Sequence, residues 1–158
     1  GIVGYILWWP YDNIWPPEID FVECDGRAAN TLFFSQHYCK YTGNSIDRCG
    51  DRYLSNYTRI APSYTLTNID TTQWHIYSVE LTSSSVKWYV DGQLKVTQTN
   101  YNPGQKWLFG AGIWAGCCGS GGYCATGEID KWGGWGGCPT GHPFPQYMDI
   151  DYVRIWTY

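Results

Sequence analysis

From Gln73 to Leu81 the chain alternates, with Trp74, Ile76, Ser78 and Glu80 on one face of an extended strand and His75, Tyr77, Val79 and Leu81 on the other. Ser83-Ser84-Ser85 turns the chain into a second strand, Val86 to Val90. Asp91-Gly92 follows, a pair suited to the positive φ angles of a two-residue hairpin turn, and it predicts a return strand from Gln93 to about Thr99. Apolar runs at Ile2 to Trp9, Thr31 to Cys39 and Trp107 to Ala115 predict further strands, and Gln146 to Trp156 predicts a closing one. The polar stretch from Lys40 to Ser63 reads as a long loop, and Gly116 to Pro145, rich in Gly, Cys and Trp, as an irregular segment. No stretch sustains a 3.6-residue apolar period, so very little helix is expected. The expectation is a single all-β domain over residues 1–158, an antiparallel β-sandwich.

One strand breaks the usual rule for apolar runs. In Pro16-Pro-Glu-Ile-Asp-Phe-Val-Glu-Cys24 three carboxylates interrupt the apolar positions. Glu18 and Asp20 share a face by period two, while Glu23, five residues beyond Glu18, falls on the opposite one in a regular strand. A β-bulge near Phe21-Val22 restores it, and predicts Glu18, Asp20 and Glu23 in one row. Such a row suits a double displacement at a sugar carbon, in which one carboxylate attacks and another carboxylic acid protonates the leaving oxygen. The middle acid would orient the first and raise its neighbours' affinity for protons. A calcium site or a solvated acidic face uses the same residue types. Residues Glu128-Ile-Asp130 echo the motif without a third acid at the matching offset, and read as accidental.

Composition narrows the partners. The net charge is −4 with ten Lys and Arg, and no basic run could track phosphates, so nucleic acid is not an expected partner. The apolar stretch at residues 2–9 is too short to cross a bilayer, so no membrane association is expected either. Ten Trp, fourteen Tyr and five Phe exceed what a core of this size needs, and flat amphipathic rings suit the faces of sugars. Trp15 before the acidic strand, Trp114 near the end of the 107–115 strand, and Trp132 and Trp135 on the Gly-rich segment are the candidate platforms. Seven Cys without a Cys-x-x-Cys pair point to an oxidising, extracellular setting, with Cys39–Cys49 the expected bridge and one or two more among Cys117, Cys118, Cys124 and Cys138. Asn56-Tyr-Thr58 is an N-glycosylation sequon.

Trp15-Pro-Pro-Glu-Ile-Asp-Phe-Val-Glu23 resembles the bulged Glu-x-Asp-x-x-Glu signature of glycoside hydrolase family 16, the laminarinase-type endoglycosidases. Trp74-His-Ile-Tyr-Ser-Val-Glu-Leu, Trp88-Tyr-Val-Asp-Gly92 and Met148-Asp-Ile-Asp-Tyr-Val-Arg-Ile-Trp156 extend the resemblance, in order, over nearly the whole chain. It implies a jelly roll of the concanavalin A-like lectin/glucanase type, with the cleft on the concave sheet. It also implies roles: Glu18 as nucleophile, Asp20 as its helper and Glu23 as acid/base, with Gln36 and His37 on the next strand bordering the cleft. The implied activity is a secreted, retaining endo-glycosidase acting on β-1,3- or mixed β-1,3/1,4-glucan or a related galactan, by hydrolysis or by transglycosylation. No cofactor and no metal ligand is expected, although some family members carry a structural calcium ion. A non-catalytic carbohydrate-binding or structural module that assembles with other chains is the competing expectation. It draws on one departure: the family places more strands ahead of the signature than the seventeen residues before Glu18 can form. The expectations are a truncated domain, strands supplied by a partner or an identical neighbour, or a minimal sandwich.

Overall fold

The computed structural model describes residues 2–25, 30–41, 46–47, 57–60, 63–115 and 147–157, with the backbone alone at several strand ends. Ten strands form in the order β1 (Ile2–Pro10), β2 (Glu18–Asp25), β3 (Thr31–Tyr41), β4 (Ile46–Asp47), β5 (Tyr57–Ile60), β6 (Ser63–Thr67), β7 (Tyr77–Leu81), β8 (Ser85–Val90), β9 (Gln93–Thr99) and β10 (Trp107–Ala115). Among the described residues there is no helix, and hence none long and apolar enough to cross a membrane. The larger sheet runs β10-β1-β2-β3, with β4, β5 and β6 all pairing with β3; the smaller is the meander β7-β8-β9. Every pairing is antiparallel.

The two sheets meet over an apolar layer. Ile19, Val22, Leu32 and Phe34 of β2 and β3 pack with Val86, Trp88 and Val90 of β8, all at most 3% exposed. The alternation in β8 explains why: Val86, Trp88 and Val90 point inward while Ser85, Lys87 and Tyr89 lie half-buried on the other face, where Lys87 and Tyr89 hold Glu80 at 2.8 and 2.9 Å. The two-sheet antiparallel sandwich is thus the expected architecture.

The Asp91-Gly92 hairpin forms where the sequence placed it, both residues at positive φ, 51° and 75°. Its Asp also reaches back. Asp91 Oδ1 accepts the backbone N–H of Ile76 at 2.9 Å and Oδ2 meets His75 Nδ1 at 2.8 Å, and β7 begins at Tyr77, four residues later than the alternation from Gln73 implied. His75 Nε2 meets the Asp70 carbonyl at 3.0 Å, so both ring nitrogens face acceptors, and the Asp91 hydrogen bond above all raises the imidazole pKa.

Two expectations need correction. The stretch read as a loop from Lys40 to Ser63 contributes β4 and β5, and β6 begins at its end; their backbones complete hydrogen bonds along β3. The closing strand expected over Gln146 to Trp156 forms no ladder with any described strand. Alternating Met148, Ile150 and Tyr152 is a condition for a strand, but a neighbouring edge must supply the hydrogen bonds. Instead Ile150, Tyr152, Ile155 and Trp156 stay exposed, and the segment meets the sandwich through Met148, whose sulfur would lie 3.4 Å from a Cβ at Gly4. The expected bridges and Asn56 of the sequon lie outside the described residues, Cys39 by its side chain. Cys24 is a free, half-buried thiol; burial and the nearby Glu23 charge push its pKa up to about 11.

Candidate active site

Register decides which way the acids point. Against β3, Glu18 lies opposite His37, Asp20 opposite Ser35 and Glu23 opposite Phe33. Those partners are two residues apart each time, so they share a face, and the three carboxylates share it with them. The sequence spacing is two and then three, because the ladder slips between Asp20 and Glu23. β1 registers the same slip: Ile6 pairs with Val22 and Leu7 with Asp20, leaving Phe21 as the extra residue. Ile19 and Val22 fall on the core side, where both are buried. Phe21 sets its ring edge-on to Trp8, 4.7 Å between centroids, and to Phe109 at 6.3 Å.

Glu18 and Asp20 sit deep in this face, 9% and 0% exposed. The Trp15 indole N–H donates to Glu18 Oε2, which favours the ionised form. Burial acts the other way and is the largest influence; the Asp20 charge and hydrogen bond follow, then the charge of Glu23, and together they hold the Glu18 carboxyl protonated far above the usual carboxylate range. Asp20 is gripped on one oxygen only. Its Oδ2 accepts from Ser35 Oγ and from His37 Nε2, the latter at 3.0 Å, while Oδ1 is buried without a hydrogen-bond partner among the described residues. Behind them, Trp88 Nε1 donates to the Asp20 carbonyl at 2.7 Å from the other sheet.

Of the expected site residues, Trp15 and His37 join the acids: their rings lie tilted at 5.7 Å, and each hydrogen-bonds one carboxylate. Gln36 does not border the cleft. One residue from His37 on a strand, it points to the opposite face, is wholly buried, and spends its amide on Gln98 and Thr99. Trp114 is paired through its backbone with Val3; its side chain, and all of Trp132 and Trp135, lie outside the described residues. Sequence reading missed Ser35. Its signal was present, since Ser35 lies two residues from His37 and so on the same face. It also missed Tyr5, which is paired with Glu23 on one side and Gly112 on the other. The phenol lies so close over Gly112 that a Cβ there would come within 2.7 Å of its oxygen, so only glycine fits beneath it.

Donor atoms of Glu18, Asp20 and His37 lie within 4.8 Å of one another, a set that a borderline divalent ion could accept.

The family model for glycosyl hydrolases family 16 matches residues 3–117. Over 82 residues the chain is 35% identical to a β-glucanase of Bacillus subtilis, covering 51% of this chain and 28% of that protein. It is 34% identical over 82 residues to the endo-1,3-1,4-β-glycanase EglC of Rhizobium meliloti, covering 52% of this chain and 14% of that one. The chain thus spans well under a third of these curated relatives. Among solved structures, the Bacillus licheniformis β-glucanase superposes with a TM-score of 0.48 at 23% identity, over 85% of this chain and 50% of that one. The family match covers the acidic strand, both its neighbours and the hairpin, and on that extent the chain belongs to glycosyl hydrolase family 16.

Proposed function

We propose that the chain carries the catalytic centre of a secreted, retaining endo-β-glucanase that cleaves β-1,3- or mixed β-1,3/1,4-glucan. The observation that carries this reading is the row itself: three acids on one face of a bulged strand, two of them buried with oxygens within 4.8 Å of one another.

Glu18 is the nucleophile. To attack the anomeric carbon it must be the carboxylate, and its proton has an acceptor at hand in Asp20, whose charge and hydrogen bond help to hold it. Ser35 and His37 hold Asp20 by Oδ2, which fixes its carboxyl group beside Glu18. Asp20 then donates to the new ester's carboxyl, which makes Glu18 a better leaving group when water or a sugar hydroxyl attacks in the second step. Trp15 holds the Glu18 oxygen and so fixes its rotamer. Glu23, last in the row, gives its proton to the departing glycosidic oxygen and takes one back from the incoming hydroxyl. Two inversions leave the β configuration unchanged. The substrate class draws on the two glucan-cleaving relatives, the neutral linkage on the absence of basic runs, and secretion on the Cys content.

Proton NMR of the first minutes of hydrolysis of laminarin and lichenan tests this. The β-anomer of the new reducing end should appear first, with the α-anomer growing in only by mutarotation. An initial α-anomer would make the reaction inverting. Binding of either glucan without any new reducing ends would favour the non-catalytic module.

A further inference from the structure

Gln36 is an amide in an apolar layer. Opposite Ile19 and two residues from Phe34, both 0% exposed, it occupies a position suited to an apolar side chain. Its side-chain hydrogen bonds all go to the end of β9 and the turn that follows it. Nε2 donates to Thr99 O at 2.7 Å and to Gln98 Oε1 at 2.9 Å, and Oε1 accepts Tyr101 N–H at 3.5 Å. The same turn grips β3 twice more: Asn102 Nδ2 donates to His37 O at 3.4 Å, and Tyr101 stacks on Tyr38 at 4.0 Å. The turn is itself anchored, since buried Asn100 donates to Thr82 O at 2.7 Å and its backbone N–H to Ser84 O at 2.9 Å.

Gln36 sits between Ser35 and His37, the two donors to Asp20. On the β2 side, Asp20 is tied to the same sheet by Trp88. Both partners of the Asp20 contact are therefore fixed to one outside reference. We infer that Gln36 is a positioning residue: by tying β3 to the turn after β9 it sets the distance from Ser35 and His37 to Asp20, and through Asp20 it aligns Glu18. Its effect on turnover rests on the glucanase reading above; its effect on His37 does not.

The test compares Gln36→Leu with Gln36→Asn, which keeps the amide one methylene short of the turn, and with Val90→Ala, a core truncation in the facing sheet that pairs with Gln93 and not with the residues of the tie. Imidazole 15N–1H NMR reads the His37 Nε2–H. In the parent and in Val90→Ala it should exchange slowly; in both Gln36 variants exchange should speed by about tenfold or more, and kcat should fall by about tenfold with KM within about threefold, as misplacement of a catalytic group requires. If Gln36→Leu does not fold, Gln36→Asn alone decides. Parental exchange and kcat in the Gln36 variants would overturn the inference. So would an equal loss in Val90→Ala, which would mean general loosening, or a rise in KM alone, which would make Gln36 a substrate contact. Should Glu18→Gln prove as active as the parent, the glucanase reading fails, and the NMR comparison still decides the positioning role.

Discussion

Glu18→Gln is expected to abolish glucan cleavage and to make the protein more stable. The rate should fall by about 10⁴ or more, because the amide cannot form the glycosyl ester and the reaction loses its covalent route. The gain in stability follows from linkage. Folded Glu18 keeps its proton to about pH 10, whereas the unfolded chain releases it near 4.5. Between those values the native state binds more protons than the unfolded one, so stability declines as pH rises across that window. Glutamine is a neutral near-isostere and removes this term. The variant should match the parent near pH 4 and exceed it by on the order of 2 kcal/mol at pH 7. Urea melts at the two pH values beside an activity assay measure both effects. Equal stability at both pH values would show that burial does not hold the proton on Glu18.

Trp88→Ala has the largest expected cost to the fold. The indole fills the layer between the sheets at 0% exposure, and its N–H satisfies the Asp20 carbonyl. Truncating a buried Trp costs about 3–5 kcal/mol, a large share of the roughly 5–15 kcal/mol that holds a domain together. Trp88→Phe keeps most of the packing and orphans the carbonyl, for about 1–3 kcal/mol. The denaturation midpoint should order as parent, Phe variant, Ala variant. If the Ala and Phe variants were equally stable, the ring would not be the main link between the sheets.

The acidic row was legible because period two and one bulge leave few choices: with Glu18 and Asp20 outward and Ile19 inward, Glu23 can rejoin them only through an extra residue, and that residue is Phe21. The hairpin was legible because Asp91-Gly92 satisfies a backbone demand that few residue pairs meet. Gln36 was misplaced for a related reason. Sitting beside His37 it looked like part of a polar cluster, but neighbours on a strand face opposite ways, and its partners at Gln98 and Thr99 lie over sixty residues along the chain. Long-range contacts of that kind leave no local trace. Likewise Tyr64 and Leu66 of β6 face the core while Ser63, Thr65 and Thr67 face solvent, yet the strand is short and its pairing with β3 is what defines it. The 147–157 segment shows the converse, strand composition without a described edge to pair with.

The central claim is that Glu18 carries the sugar between the two steps. An activated 2-fluoro β-glycoside of laminaribiose forms the glycosyl-enzyme quickly and releases it slowly, so proteolysis and peptide mass spectrometry can locate the ester. The account predicts a single label, on the peptide holding Glu18, absent from Glu18→Gln and lost again when a glucan acceptor is added. A label on Glu23 or elsewhere, or turnover of glucan with no trapped ester, would contradict it.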